Sequence, residues 1–198
     1  MRNLLPTRLP QGAGDRLGRA VARTGVTANV ISFIGLCGSL FAAYLVIQDH
    51  LIWAGIVFLT GSLLDLVDGA VARATNTASP YGAIFDAVLD RAGEAFILAA
   101  AAWYFGEREN ELGVAFCFLA LFGSVTVSYV RARAEIVGME MREGLFRRQE
   151  RVAVMSAGLI LGFPAVAIGI IAVLANLTAL QRSWMLAAYL RGGEAGAG

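Results

Sequence analysis

Lysine is absent from this 198-residue chain, so all 16 basic residues are arginine. Set against 15 acidic residues they leave a formal net charge of +1, which excludes a nucleic-acid binder that works through bulk positive charge. Cysteine is nearly absent too. Cys37 and Cys117 lie in separate apolar runs, too few for the disulfide framework of a small secreted domain. Charged residues make up only 16% of the chain, against roughly 25% in an ordinary soluble domain. Apolar residues fill the gap at 58%, which excludes intrinsic disorder. A chain of this length and composition reads as an all-α polytopic membrane protein.

Uncharged stretches mark the bilayer. Val26 to Ile47 is long enough to cross a hydrocarbon core of roughly 30 Å. A second stretch starts at Leu51 and meets Asp65, so its far end carries carboxylates. A third runs from about Gly82 to Gly106 with acids in its first turns, and Leu112 to Val130 is a fourth. From Val152 to Leu190 the only charge is Arg182, over a length too great for one crossing. Pro164, after Gly162 and Phe163, divides that stretch in two. Six transmembrane helices are expected, in a membrane domain over 26–191.

Residues 1–25 are expected to form a cytoplasmic interfacial segment, and 192–198 a disordered tail. Between Gly14 and Thr24, Arg16, Arg19 and Arg23 alternate with Leu17, Ala20 and Val21, the pattern of an amphipathic helix lying on a membrane. The apolar run that follows is too long for a cleavable signal. Six crossings put both termini on the side of the 73–81 and 131–151 connections, which holds nearly all the arginines. The positive-inside rule makes that side the cytoplasm, and the plasma membrane is the expected location.

Ionisable groups inside a span are costly and point to function. Asp65 and Asp68 share one helix face at i, i+3, and Asp86 and Asp90 share another at i, i+4. The short connection between the two helices is expected to fold them into an antiparallel hairpin that brings the pairs together. Four carboxylates in one pocket repel one another strongly, and two divalent cations relieve that repulsion. A paired-metal site of this kind clamps a diphosphate. Gly69 and Ala72 remove bulk where a nucleotide would lie, Arg73 offers a cation to phosphate oxygens, and Gly82 permits close helix approach.

The run Asp65-Leu-Val-Asp68-Gly69-Ala-Val-Ala72-Arg73, continued by Gly82, Asp86 and Asp90 at fixed spacing, resembles the signature of the CDP-alcohol phosphotransferases. At background frequencies of roughly 5–9% per residue the chance of such a match is on the order of 10⁻¹⁰ per start position, so coincidence is excluded. The resemblance implies a magnesium or manganese pair held by Asp65, Asp68, Asp86 and Asp90, with Asp90 as general base. It implies CDP-lipid contacts at Asn29, Asp68, Gly69, Ala72, Arg73 and Ser79, and a homodimer. The implied reaction is attack of an alcohol hydroxyl on the β-phosphorus of CDP-diacylglycerol, with release of CMP.

Beyond that signature, Ser128 to Glu135, Gly144-Leu145-Phe146, Arg148 to Arg151 and Gln181-Arg182 resemble the phosphatidylinositol-phosphate synthase branch. Two positions depart from its pattern: Arg131 stands where lysine is common, and Gln149 where proline is. By this resemblance Ser128, Arg131, Arg133, Arg151 and Arg182 line a basic pocket for a phosphorylated alcohol, inositol 1-phosphate being favoured. Glycerol 3-phosphate is the competing acceptor, and a cation transporter the competing class. Glu94, one turn beyond Asp90, matches no role in the sequence pattern, nor does His50.

Overall fold

The computed structural model describes residues 18, 20, 21, 23, 25–75, 77–141 and 144–194. Six helices account for most of them: α1 (Ala28–Ile47), α2 (Leu51–Ala74), α3 (Pro80–Gly106), α4 (Glu111–Ile136), α5 (Arg148–Ile160) and α6 (Pro164–Glu194). No strand occurs among the described residues, so the all-α class holds. The interfacial helix expected over 14–24 lies mostly outside the described residues. Gly18 from that segment sits against α2, where a Cβ would come within 2.6 Å of the Ala70 carbonyl oxygen.

Local chemistry sets the helix ends. Ser79 caps α3 by accepting the Gly82 N–H at 3.1 Å, with Pro80 in the first position. Asn110 caps α4 by accepting the Gly113 N–H at 2.9 Å. Gly162, at φ +77°, turns the chain between α5 and α6, and Pro164 opens α6.

Two boundaries differ from expectation. α5 begins at Arg148 rather than where the uncharged stretch starts, because Glu150 accepts the Arg147 N–H at 2.7 Å across that first turn. Arg148 and Arg151 are therefore helical residues. α6 runs on to Glu194, into the segment expected to be a tail, and 195–198 lie outside the described residues.

By length and composition, α1, α2, α4 and α6 can each cross a membrane. α3 has the length, at 27 residues, but carries Asp86, Asp90, Arg91 and Glu94. α5 has 13 residues, roughly 20 Å at about 1.5 Å per residue, and is shorter than the hydrocarbon core. Six crossings were expected, and four of the six helices named above are candidates to cross a membrane by length and composition among the described residues.

The principal packed neighbours form a closed ring in the order α1, α2, α5, α6, α4, α3 and back to α1. α2 and α3 therefore do not form the expected face-to-face hairpin; α1 packs against both. One apolar cluster draws on every helix, including Ala42 and Val46, Phe58, Ile97 and Leu98, Ala120, Leu159, and Ile168 and Ile171. These residues come from one end of the ring. The aspartates, Arg131, Arg148 and Arg182 come from the other. Large apolar side chains such as Trp53, Phe118, Phe122 and Trp184 point outward, as a lipid solvent permits.

Glycine permits the closest helix approaches. A Cβ on Gly55 of α2 would sit 2.8 Å from the Ser156 carbonyl oxygen of α5, and one on Gly123 of α4 would sit 2.9 Å from the Asn176 nitrogen of α6. Gly169, by contrast, has nothing within 4 Å of that position. Gly55→Ala and Gly123→Ala should each lower Tm in detergent by roughly 3–10 °C through overpacking. Gly169→Ala should leave it unchanged or slightly higher. Equal effects at all three positions would contradict this packing.

Candidate active site

The site starts on α1, at residues spaced one turn apart. Ser32 donates from Oγ to Asp68 Oδ2 at 2.5 Å. Gly35, one turn on, has no side chain to obstruct Asp65, whose Oδ1 lies 2.9 Å from where a Cβ would be. The i, i+3 pair of α2 thus seats on an i, i+3 pair of α1. Asn29, a turn before Ser32, faces α3: its Oδ1 and Ser79 Oγ lie 3.5 and 3.3 Å from a Cβ built on Gly82. Asn29, Ser79 and Gly82 are brought together by a glycine that leaves both side chains room.

Asp65, Asp68 and Asp86 each offer a carboxylate oxygen, and the three oxygens lie within 4.8 Å of one another. At that spacing each ionised pair repels by about 3–4 kcal/mol at an effective dielectric near 20, which demands a nearby cation. Arg148 supplies one. From α5 its Nη1 reaches Asp65 Oδ2 and its Nη2 reaches Asp90 Oδ1, each at 2.8 Å. Arg148, with Arg91 acting on Asp90, still leaves an excess of negative charge against four carboxylates. Asp86 Oδ1 is buried and without a hydrogen-bond partner among the described residues. Clustered oxygen donors, one of them unpartnered, fit a hard divalent cation. On the same face of α2, Arg73 lies back over Gly69, its Nη1 3.3 Å from where a Cβ would be.

The expected acceptor residues divide into groups. Arg182 of α6 is buried and donates from Nη1 to the Val127 carbonyl oxygen of α4 at 3.1 Å. Its guanidinium lies against Gly144, where a Cβ would meet Nη2 at 2.7 Å. The Leu145 N–H donates to Gln181 Oε1 at 3.3 Å, which pins the same segment to α6. Arg131, Arg151 and Arg147 lie near enough for their charges to act on Arg182. Arg131 is exposed and pairs with Glu135 at 3.0 Å, Arg133 is exposed, and Ser128 is half-buried. Arg151 is the exception. It is buried and its Nε and Nη2 hold Glu94 at 2.6 and 2.9 Å.

Four participants carry no mark in the sequence reading: Ser32, Gly35, Arg148 in its bridging position, and Glu94 as a partner. The three-residue spacing of Asn29, Ser32 and Gly35 was the available signal for the first two. Nothing local in the sequence pairs Arg148 or Arg151 with residues 57 or more positions away.

Comparison with known proteins agrees with this fold. Residues 25–188 match the family model for CDP-alcohol phosphatidyltransferase. The chain is 34% identical over 169 residues to the archaetidylinositol phosphate synthase of Pyrococcus horikoshii, covering 85% of this chain and 87% of that one. It is 31% identical over 178 residues to the phosphatidylinositol phosphate synthase of Mycolicibacterium smegmatis, covering 84% and 80%. The crystal structure of Mycobacterium tuberculosis phosphatidylinositol phosphate synthase with CDP-DAG bound superposes with a TM-score of 0.78 at 26% identity, over 87% of this chain and 92% of that one. The same enzyme in complex with manganese and citrate gives 0.79, over 87% and 88%.

Arg148→Gln removes the cation that neutralises Asp65 and Asp90. In chelator the variant should lose roughly 5–10 °C in Tm, the scale of a broken partly buried ion pair. Manganese titrated into it should bind at least as tightly as to the parent, since no guanidinium competes for those oxygens. Weaker manganese binding would mean that Arg148 supports the metal instead of standing in for it.

Proposed function

Because the chain belongs to the CDP-alcohol phosphatidyltransferase family, we propose that it transfers the phosphatidyl group of CDP-diacylglycerol to inositol 1-phosphate, giving phosphatidylinositol phosphate and CMP. The observation that carries this reading is the group of three carboxylate oxygens from α2 and α3 within 4.8 Å of one another, beside an unpartnered Asp86 Oδ1. Both similar enzymes are named for an inositol phosphate product and differ in the lipid part of the name, which supports the acceptor assignment. The signature residues support the CDP half.

Asp65, Asp68, Asp86 and Asp90 are the residues that would hold two magnesium or manganese ions. Such a pair, when bound, draws charge from the diphosphate and stabilises the departing CMP. The rest falls to side chains. Asn29, Ser79 and Gly82 form the cradle proposed for the cytidine end, where the missing Cβ of Gly82 leaves space. Arg73, with Asp68, Gly69 and Ala72 on the same stretch of α2, borders the diphosphate. The acceptor hydroxyl forms a bond to the β-phosphorus as the phosphorus–oxygen bond to CMP breaks, and the hydroxyl proton passes to the Asp90 carboxylate.

The acceptor's own phosphate is assigned to the arginines beyond the carboxylates. Arg182, Arg131 and Arg151 are assigned to that basic group because the charges of the last two act on Arg182, and Arg133 and Ser128 by the resemblance to the phosphatidylinositol-phosphate synthase branch. Charge-assisted bonds to phosphate suit guanidinium groups. The enzyme works in this reading as a homodimer in the plasma membrane, with both termini and the site at the cytoplasmic face. The arginine bias between connections supports that orientation.

Purified protein with CDP-diacylglycerol and magnesium should release CMP with inositol 1-phosphate, far less with glycerol 3-phosphate, and none in excess chelator. Turnover with glycerol 3-phosphate alone would move the chain to another branch and leave the donor chemistry standing. Full turnover in chelator would end the metal assignment. Asp90→Asn should cost roughly 10² or more in kcat. Near-normal turnover in that variant would remove the base role from Asp90.

A further inference from the structure

Glu94 and Arg151 are both buried, at 8% and 2% exposure, and neither carries a metal or CDP role. The Glu94 carboxylate holds one edge of the guanidinium, with Oε1 accepting from Nε at 2.6 Å and Oε2 from Nη2 at 2.9 Å. Ser124 of α4 donates from Oγ to the same Oε1 at 2.9 Å, so three helices meet in one polar knot. A bidentate pair of this kind fixes the plane as well as the position of the guanidinium. The small cavity beside it, about 10 Å³, is otherwise walled by apolar side chains including Phe58, Leu98, Met155 and Ile171. Glu94 is thus the group that makes the burial of Arg151 tolerable.

The pair is the second of two rungs. Asp90 and Glu94 are one turn apart on α3, and Arg148 and Arg151 are one turn apart on α5. The first rung, Asp90 to Arg148, belongs to the carboxylate centre. The second lies a turn further on, where the charge of Arg151 joins those of Arg131 and Arg147 acting on Arg182. The remaining nitrogen of Arg151, Nη1, is buried and has no hydrogen-bond partner among the described residues. An unpaired buried guanidinium N–H is costly, and it is the donor that an incoming oxyanion completes.

We propose that Glu94 is a positioning residue for the acceptor: with Ser124 it locks one edge of Arg151 so that the opposite nitrogen is held ready for the acceptor's phosphate. Glu94 acts only through Arg151 and touches neither metal nor substrate. The proposal rests on the reading that the basic group receives a phosphorylated alcohol.

A double-mutant cycle on the full-length protein in lipid nanodiscs tests it, with KM measured for inositol 1-phosphate and for CDP-diacylglycerol, manganese affinity measured by titration, and Tm recorded for each variant. Glu94→Gln should raise KM for inositol 1-phosphate about tenfold or more. It should leave KM for CDP-diacylglycerol and manganese affinity within about twofold of the parent values. Arg151→Gln should show the same split, and the double variant should be no worse than Arg151→Gln alone. Glu94→Asp keeps the charge on a shorter arm and should give an intermediate KM with a Tm near that of the parent, which covers the case of a Gln variant that folds poorly.

Additive effects in the double variant, or lost manganese binding in Glu94→Gln or Glu94→Asp, overturn the proposal. So do parallel shifts of both KM values that follow Tm. An unmoved acceptor KM in Glu94→Gln alongside a raised one in Arg151→Gln overturns the role of Glu94 and leaves the acceptor site standing. If Arg151→Gln itself leaves the acceptor KM unchanged, the acceptor role of Arg151 falls and the proposal with it.

Discussion

A carboxylate that leaves water for a membrane interior must find positive charge, and in this chain that requirement organises one whole end of the helix ring. Asp65, Asp68 and Asp86 crowd to within 4.8 Å while Arg148 reaches across from α5 to Asp65 and Asp90. The repulsion among carboxylates is worth several kcal/mol at any plausible internal dielectric, comparable to a domain's net stability. Helices that share no main packing contact, α2 and α3, are therefore tied together through charge. The other end of the ring is tied together through alanine, leucine and isoleucine. An apolar half supplies rigidity, and the polar half uses it to hold groups that would otherwise separate.

Much of this was legible in the chain. Uncharged runs located the helices, because a hydrocarbon core tolerates few charges, and the aspartate spacing located the carboxylate cluster. Glycines and alanines around the aspartates pointed to close approach, and the structure places Gly82 against Asn29 and Ser79. What stayed hidden was neighbour identity. Helical periodicity says which residues share a face and is silent on which helix covers that face. The aspartate helices were expected to pack on one another, and α1 lies between them, offering Ser32 and the bare backbone of Gly35.

The beginning of α5 shows the other limit. An uncharged stretch is a guide to where lipid begins, and it says little about where a helix begins. Arg148 and Arg151 lie before that stretch, yet they belong to the helix because Glu150 closes its first turn. The resemblance gives Arg151 a place in an acceptor pocket, and its guanidinium is half engaged by Glu94. Charge counted along a sequence does not distinguish a guanidinium that is available from one that is already matched.

The four aspartates and Arg148 come from one end of the ring, and this bears on the membrane as a whole. A catalyst built so can meet a lipid only where the headgroups of one leaflet lie. Each turnover removes a lipid from that leaflet and returns a lipid with a different headgroup to it. The water-soluble fragment departs on the same side. The chemistry is therefore vectorial without any transport step: it creates transbilayer asymmetry in composition, and equalising that asymmetry would require separate machinery to carry a charged headgroup through the hydrocarbon.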